Sequence, residues 1–283
     1  MSRCRFRSLL SAAALALALL APVAAPAAQD PEFLRHYKAG LKAYQEQRFE
    51  DAIRSMDAAL ARRKDLSIVW TVKAYSTFYA GRPEESLAIY DEAIRLDPKN
   101  FRAHYGRGLT LNTLRRFPEA VESLKTATAL EPKRGNYWHL LGLAQLYANR
   151  FPDALASFER MLQLEPKRAD GWKLKGLVLF ELGRHADALV AYDESLRLDP
   201  KAEDAWMSRG SCLVKLGRNE EAVRSYDRAI AGNPFSAEAL YNRAVALHGL
   251  GRDAEARQSL QKALAVREDY PEARRLLETL GKS

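Results

Sequence analysis

The 283-residue chain has two cysteines, Cys4 and Cys212. Removal of residues 1–27 would leave Cys212 alone, so no internal disulfide can form and the fold must rest on packing. Histidine is also scarce. His36, His104, His139, His185 and His248 show no metal-ligand spacing, and no HExxH segment, nucleophile elbow or phosphate loop occurs. Cys212 lies between Ser211 and Leu213 with no histidine near it in its segment, which reads as a buried, inert thiol rather than a nucleophile. The expectation is therefore no enzyme, no cofactor and no metal site. Excess charge of one sign is small: 44 basic against 36 acidic residues give +8, and loss of Arg3, Arg5 and Arg7 with the first segment lowers this to +5. The basic residues are spread along the chain rather than gathered in a tail, which argues against a nucleic-acid partner.

Long apolar runs are limited to one. Leu9 to Ala21 is apolar except for Ser11, follows the three arginines and precedes Ala25-Pro26-Ala27. That order predicts a secretory signal over 1–27 and a short linker over 28–32. Export to the periplasm of a Gram-negative bacterium, with no stable membrane anchor after cleavage, is the expectation. The alternative is an uncleaved anchor, since Ser8 to Gln29 is uncharged and about 20 residues can span a bilayer. Pro22 and Pro26 count against it, and Cys4 precedes the apolar stretch, where a lipoprotein would need its cysteine at the end.

What the rest of the chain has is repetition. Units of 34 residues started at Phe33 run over 33–66, 67–100, 101–134, 135–168, 169–202, 203–236 and 237–270 without an insertion. The eighth place holds Gly40, Ala74, Gly108, Gly142, Gly176, Gly210 and Ala244, and the twentieth is Ala or Ser throughout. The twenty-seventh place is small except for Met161. Apolar residues between these sites recur three and four apart, as in Ala188, Leu189, Tyr192 and Leu196, which is helix spacing. Gly81, Gly183, Gly217 and Gly251 mark a turn inside the unit, and Pro83, Pro118 and Pro152 sit where a second helix begins. Each unit is thus predicted to be two helices.

With Trp70, Trp138, Trp172 and Trp206 all at the fourth place, and closing prolines at Pro98, Pro132, Pro166, Pro200 and Pro234, the chain resembles the tetratricopeptide repeat family. The resemblance covers Phe33 to Tyr270, with 271–283 as a C-terminal capping helix. It implies an all-α fold: an α-solenoid, a right-handed superhelix of seven helix-turn-helix repeats whose first helices line an inner groove.

Carried over place by place, the resemblance sets the fifth, ninth and twelfth positions toward that groove, with Tyr37, Leu41, Tyr75, Tyr105, Leu109, His139, Leu143, Lys173, Leu177, Met207 and Tyr241 as its candidate binding residues. Partial exposure is expected of Tyr75, Tyr105, Leu143 and Leu177, while the twelfth-place Tyr44, Phe78, Leu146 and Phe180 can pack between helices. Tyr37, Leu41 and Leu109 occupy places where the family's two-carboxylate clamp needs polar groups, so the clamp is rejected. Arginine fills the sixteenth place of every unit with an acid three residues later, which reads as pairing near a helix N-terminus. Lys99, Lys133, Arg134, Lys167, Arg168 and Lys201 form a basic rim without so regular a partner row. The resulting expectation is an exported scaffold that binds segments of partner proteins in an aromatic and apolar groove and assembles or escorts envelope proteins. The alternative is a soluble receptor for a small anionic ligand near Lys173, His139 and the rim.

Overall fold

A small residue every 34 positions allows two helices to approach until a large side chain of one rests on the backbone of the other. This is what the computed structural model shows over the described residues, 30–281. The expected signal over 1–27 lies outside them. Among the described residues there are helices and no strands, in two compact units that divide between Ala148 and Asn149.

The first unit contains α1 (Pro31–Gln45), α2 (Phe49–Arg62), α3 (Ser67–Tyr79), α4 (Pro83–Leu96), α5 (Phe101–Thr113), α6 (Phe117–Leu130) and α7 (Gly135–Tyr147). The second contains α8 (Phe151–Leu164), α9 (Ala169–Glu181), α10 (His185–Leu198), α11 (Glu203–Lys215), α12 (Asn219–Gly232), α13 (Ala237–His248), α14 (Asp253–Val266) and α15 (Pro271–Leu280). In each unit consecutive helices pack side by side, so a helix touches the ones before and after it in sequence. This is the all-α solenoid arrangement, in which no pair buries its apolar face without a neighbour. One boundary differs from expectation: α1 starts at Pro31, inside the segment read as a linker. Asp30 accepts hydrogen bonds from the Glu32 and Phe33 amides at 3.0 Å, and Pro31 needs no donor there.

Two recurrent contacts define the packing within a pair. The twenty-fourth place, which holds Met56, Tyr90, Leu124, Tyr192, Tyr226 and Leu260 among others, is almost wholly buried. A Cβ added at Gly210 would sit 2.6 Å from the Tyr226 ring, so only glycine admits that ring. The turn joining α11 to α12 places Gly217 at φ 72°, in the left-handed region; Gln47, Arg115 and Asn149 take the same conformation at the corresponding turns without being glycine. Each second helix then opens behind an arginine. Arg48, Arg82, Arg116, Arg150, Arg184, Arg218 and Arg252 pair with the acid three residues on at 2.5–3.2 Å, as the spacing predicts. These pairs are exposed and each contributes little.

Between pairs, two further sets of bonds hold the register. The Trp70, Trp138, Trp172 and Trp206 indoles donate to the carbonyls of Lys64, Pro132, Pro166 and Pro200 at 2.8–2.9 Å, and a His104 ring nitrogen lies 2.9 Å from the Pro98 carbonyl. The fourth-place ring therefore fastens the loop before its own helix. At the seventh place, Lys73, Arg107, Lys175, Arg209 and Arg243 reach back 16 residues to Asp57, Asp91, Glu159, Asp193 and Asp227 at 2.6–3.0 Å. Arg107, Arg209 and Arg243 also donate forward to Ser123, Ser225 and Ser259. One cation thus links its first helix to the second helix on either side.

Tyrosine dominates the interior: Tyr44, Tyr75, Tyr90, Tyr105, Tyr192 and Tyr226 are almost fully buried. Burial pushes the Tyr37 and Tyr137 phenols up to about 12 and those of Tyr44, Tyr75 and Tyr90 well above their ordinary value of 10.0. Cys212 is fully buried on α11, and the same effect lifts its thiol to about 12.

Three outcomes are expected. Gly210→Ala should destabilise the fold by about 1–3 kcal/mol through overlap with Tyr226, and Gly217→Ala, whose Cβ meets nothing, by about 1 kcal/mol through backbone strain alone; urea unfolding measures both. Between pH 10 and 12 the unfolded chain loses phenolic protons that the folded chain retains. Stability should hold below pH 9 and fall above pH 10 by about 1.4 kcal/mol per pH unit for each buried tyrosine, read as urea midpoints across that range. In a chain beginning at Ala28, a disulfide reagent at pH 8 should leave Cys212 unmodified while the chain is folded and titrate one thiol once it is unfolded.

Candidate functional site

The first helices present different side chains in the two units. In the first unit the fifth- and ninth-place rings turn into the protein. Tyr37 is 3 % exposed and stacks on Phe33 with centroids 5.8 Å apart. Tyr75 is fully buried, edge-on to Tyr90, and its hydroxyl donates to the Arg102 carbonyl on α5 at 3.0 Å. Tyr105 is 1 % exposed and stacks on Tyr137 of α7 at 4.2 Å. The expectation of partly exposed Tyr75 and Tyr105 is thereby corrected: each ring spans the gap to the next first helix and is covered by it. Leu41 and His139 are buried as well. Leu109 and Leu143 remain half-buried. At the twelfth place Tyr44 and Leu146 pack inside, while Phe78 is half-buried.

Beside this tyrosine wall lies a group that the fifth-, ninth- and twelfth-place rows do not contain. Arg102, at the second place of its repeat, is half-buried, with its guanidinium 4.5 Å from the Phe101 ring centroid. Its Nε is buried without a partner and it forms no ion pair among the described residues. Burial lowers its proton affinity from the ordinary arginine value, although Glu131 and Tyr137 act in the other direction. Arg134 lies over the Phe101 and Tyr137 rings at 5.4 and 5.7 Å and pairs with Glu131 at 3.5 Å. Two guanidiniums, one carboxylate and two aromatic rings leave a net positive, partly dehydrated spot that favours an incoming carboxylate. Arg102 stands at a place whose occupant changes from repeat to repeat, so the 34-residue step carries no signal for it.

The second unit is polar where the first is aromatic. Its second-place residues are Asp170, Asp204 and Glu238. Lys173 forms an ion pair with Asp204, and Arg168 pairs with Asp170 at 2.9 Å and Glu165 at 3.0 Å. Leu177, Phe180, Met207 and Tyr241 are half-buried. A cavity of about 320 Å³ is lined by Glu203, Asp204 and Glu238 with Met207 and Ser208. In this unit the half-buried apolar side chains of the first helices are therefore flanked by carboxylates from the second place, and Leu177 is partly exposed as expected.

The basic rim divides in the same way. Lys99, Lys133, Lys167 and Lys201 are exposed, whereas Arg134 and Arg168 are half-buried and held by the pairs just described. Lys173 is committed to Asp204 and His139 is buried, so of the residues named for a small-anion receptor the rim lysines are the ones left exposed and without an ion pair among the described residues. Among the described residues no group of histidine, cysteine and acidic side chains is arranged to hold a metal ion, and no helix is long and apolar enough to cross a membrane.

Solved structures similar to this one include proteins described as tetratricopeptide repeat proteins. YrrB, described as a protein of this family with an unusual peptide-binding site, is 20% identical over 66% of this chain and 96% of its own, with a TM-score of 0.58. A tetratricopeptide repeat protein from Parabacteroides merdae is 14% identical over 89% of this chain and 100% of its own, with a TM-score of 0.61. MamA is 24% identical over 58% and 96%, at 0.56. At these identities the likeness concerns the fold alone. No curated protein matches the sequence. A family model described as "Tetratricopeptide repeat" matches residues 71–134, 139–203, 179–223 and 208–273. Those segments span most of the described helices, and the chain belongs to the tetratricopeptide repeat family.

Proposed function

We propose that this protein is an exported scaffold whose first-helix face in the first unit binds apolar segments of partner proteins that carry a carboxylate, and that it assembles or escorts envelope proteins by doing so. The observation that carries this reading is Arg102, an unpaired, half-buried guanidinium set among Phe101 and Tyr137 and followed on its own helix by the half-buried Leu109. A partly dehydrated arginine gains most from a ligand that is itself partly apolar, since the ligand excludes water from the new ion pair. The buried tyrosines form the rigid wall behind it, which limits the entropy lost on binding. The peptide-binding site for which YrrB is described supports peptide recognition as a use of this fold. Export rests on the arginines before Leu9, the apolar stretch to Ala21 and the small residues Ala25 and Ala27.

The test is selection of random peptides on the chain beginning at Ala28, followed by affinity measurement on Arg102→Gln and Leu143→Asp variants whose helicity is unchanged. Enriched peptides should combine apolar residues with Asp, Glu or a free C-terminus, and Arg102→Gln should weaken them at least tenfold, about 1.4 kcal/mol. Equal affinity for the parent and both variants would remove the first-helix face from the reading. Recovery of the natural protein from a periplasmic extract with its N-terminus at Ala28 or Gln29 checks export separately.

A further inference from the structure

The repeats provide their own controls. Places that are equivalent by the 34-residue step meet equivalent surroundings, so a set of residues that departs from all its counterparts marks a site rather than a requirement of the fold. One such set lies in the second unit, where α10, α11 and α12 enclose an open cavity of about 380 Å³. Four arginines line it: Arg197 from α10, Arg209 from α11, and Arg224 and Arg228 from α12, around the Trp206 ring.

Arg209 belongs to the packing. It is held by Asp193 at 2.6 Å and Ser225 at 2.7 Å, as its counterparts in other repeats are. The other three are not required by the repeat. Steps of 34 back from Arg197, Arg224 and Arg228 reach Gln163, Val190 and Glu194, and two steps further reach Arg95, Glu122 and Thr126. No other such trio in the chain has more than one basic residue. Arg197 pairs with Glu194 at 2.5 Å. Arg224 and Arg228 form no ion pair among the described residues, are exposed, and stand one helical turn apart on the same face of α12. Of the acids on their helix, Glu221 is paired with Arg218 and also feels the Arg224 charge, Asp227 is paired with Arg243, and Glu220 forms no ion pair among the described residues. The Arg228 guanidinium lies 6.0 Å from the Trp206 ring centroid, and that indole has already donated its N–H to Pro200.

From this we infer that the cavity is a binding site for the phosphate group of a small phosphorylated ligand. Two free guanidinium forks a turn apart need about two negative charges and several acceptor oxygens in one place, which a phosphate monoester or diphosphate supplies and a single carboxylate does not. Arg209 and Arg197 add to the local potential while staying anchored, and Leu196 with Trp206 provides an apolar floor for the organic part. The site involves neither Arg102 nor the first-helix face, so it stands or falls apart from the peptide reading.

The experiment is isothermal titration of the chain beginning at Ala28 with inorganic pyrophosphate and with glucose 6-phosphate, repeated on Arg224→Gln/Arg228→Gln and on a control of equal charge loss, Lys99→Gln/Lys201→Gln. Saturable binding at one site, weakened at least tenfold in the arginine variant and less than twofold in the lysine control, is the expected result. Pyrophosphate without glucose 6-phosphate would identify a diphosphate site, and both would identify a monoester site. Absence of saturable binding, equal weakening in both variants, or tighter binding of hexaglutamate than of either phosphate would overturn the inference, the last in favour of an acidic protein segment.

Discussion

The structure depends on the close approach of two helices at a position where one of them has a methyl group at most to interpose. The twenty-fourth-place ring or aliphatic chain rests on the eighth-place backbone, as Tyr226 rests on Gly210, and everything else in the pair is placed by that contact. It sets the distance between first and second helix and leaves each pair with apolar faces that only the adjoining pairs can cover. Polar devices then choose the register. The indole bonds to the loop carbonyls and the seventh-place cations bonded 16 residues back act where a slip of one position would break both at once. None of these bonds is strong alone, and their value lies in excluding alternatives to a packing that hydrophobic burial makes favourable.

A scaffold of this kind separates stability from recognition by place within the repeat. Residues at the eighth, twentieth, twenty-fourth and twenty-seventh places are consumed by packing, and the sixteenth and nineteenth by a local ion pair. The remaining places are free to differ, and the two units use that freedom in opposite ways. The first surrounds Arg102 with aromatic rings, and the second lines its first helices with Asp204 and Glu238 while collecting arginines at the α10–α12 surface. A uniform groove would attract one class of ligand along its whole length. Alternating chemistry instead gives short surfaces of different sign, each suited to a different contact.

Much of this was legible in the sequence because the 34-residue step carries its own register. The first helices after α1 begin at Ser67, Phe101, Gly135, Ala169, Glu203 and Ala237, and the arginine–acid pairs form at every turn where the spacing placed them. The candidate site was legible only in part. A tyrosine at the fifth or ninth place looks like a binding residue until the length of its side chain is considered: Tyr75 reaches a carbonyl 27 residues away, and Tyr105 lies flat against Tyr137. Periodicity states which places share a face but not whether the neighbouring face covers them. Arg102 was missed for the complementary reason, since one arginine at an otherwise varied place carries no periodic signal.

The sequence by itself determined the helices, their order, the turns and the internal ion pairs, because these depend on residues fewer than about 40 positions apart and repeat with the chain. Only the tertiary structure decided which side chains are left for a partner. That outcome depends on how far each ring and guanidinium extends across the gap to the next pair, and whether a partner there has already taken it. Lys173 and Arg168 are spent inside the chain, while Arg102, Arg224 and Arg228 are not. Their compositions are alike, and only the carboxylates within reach distinguish them.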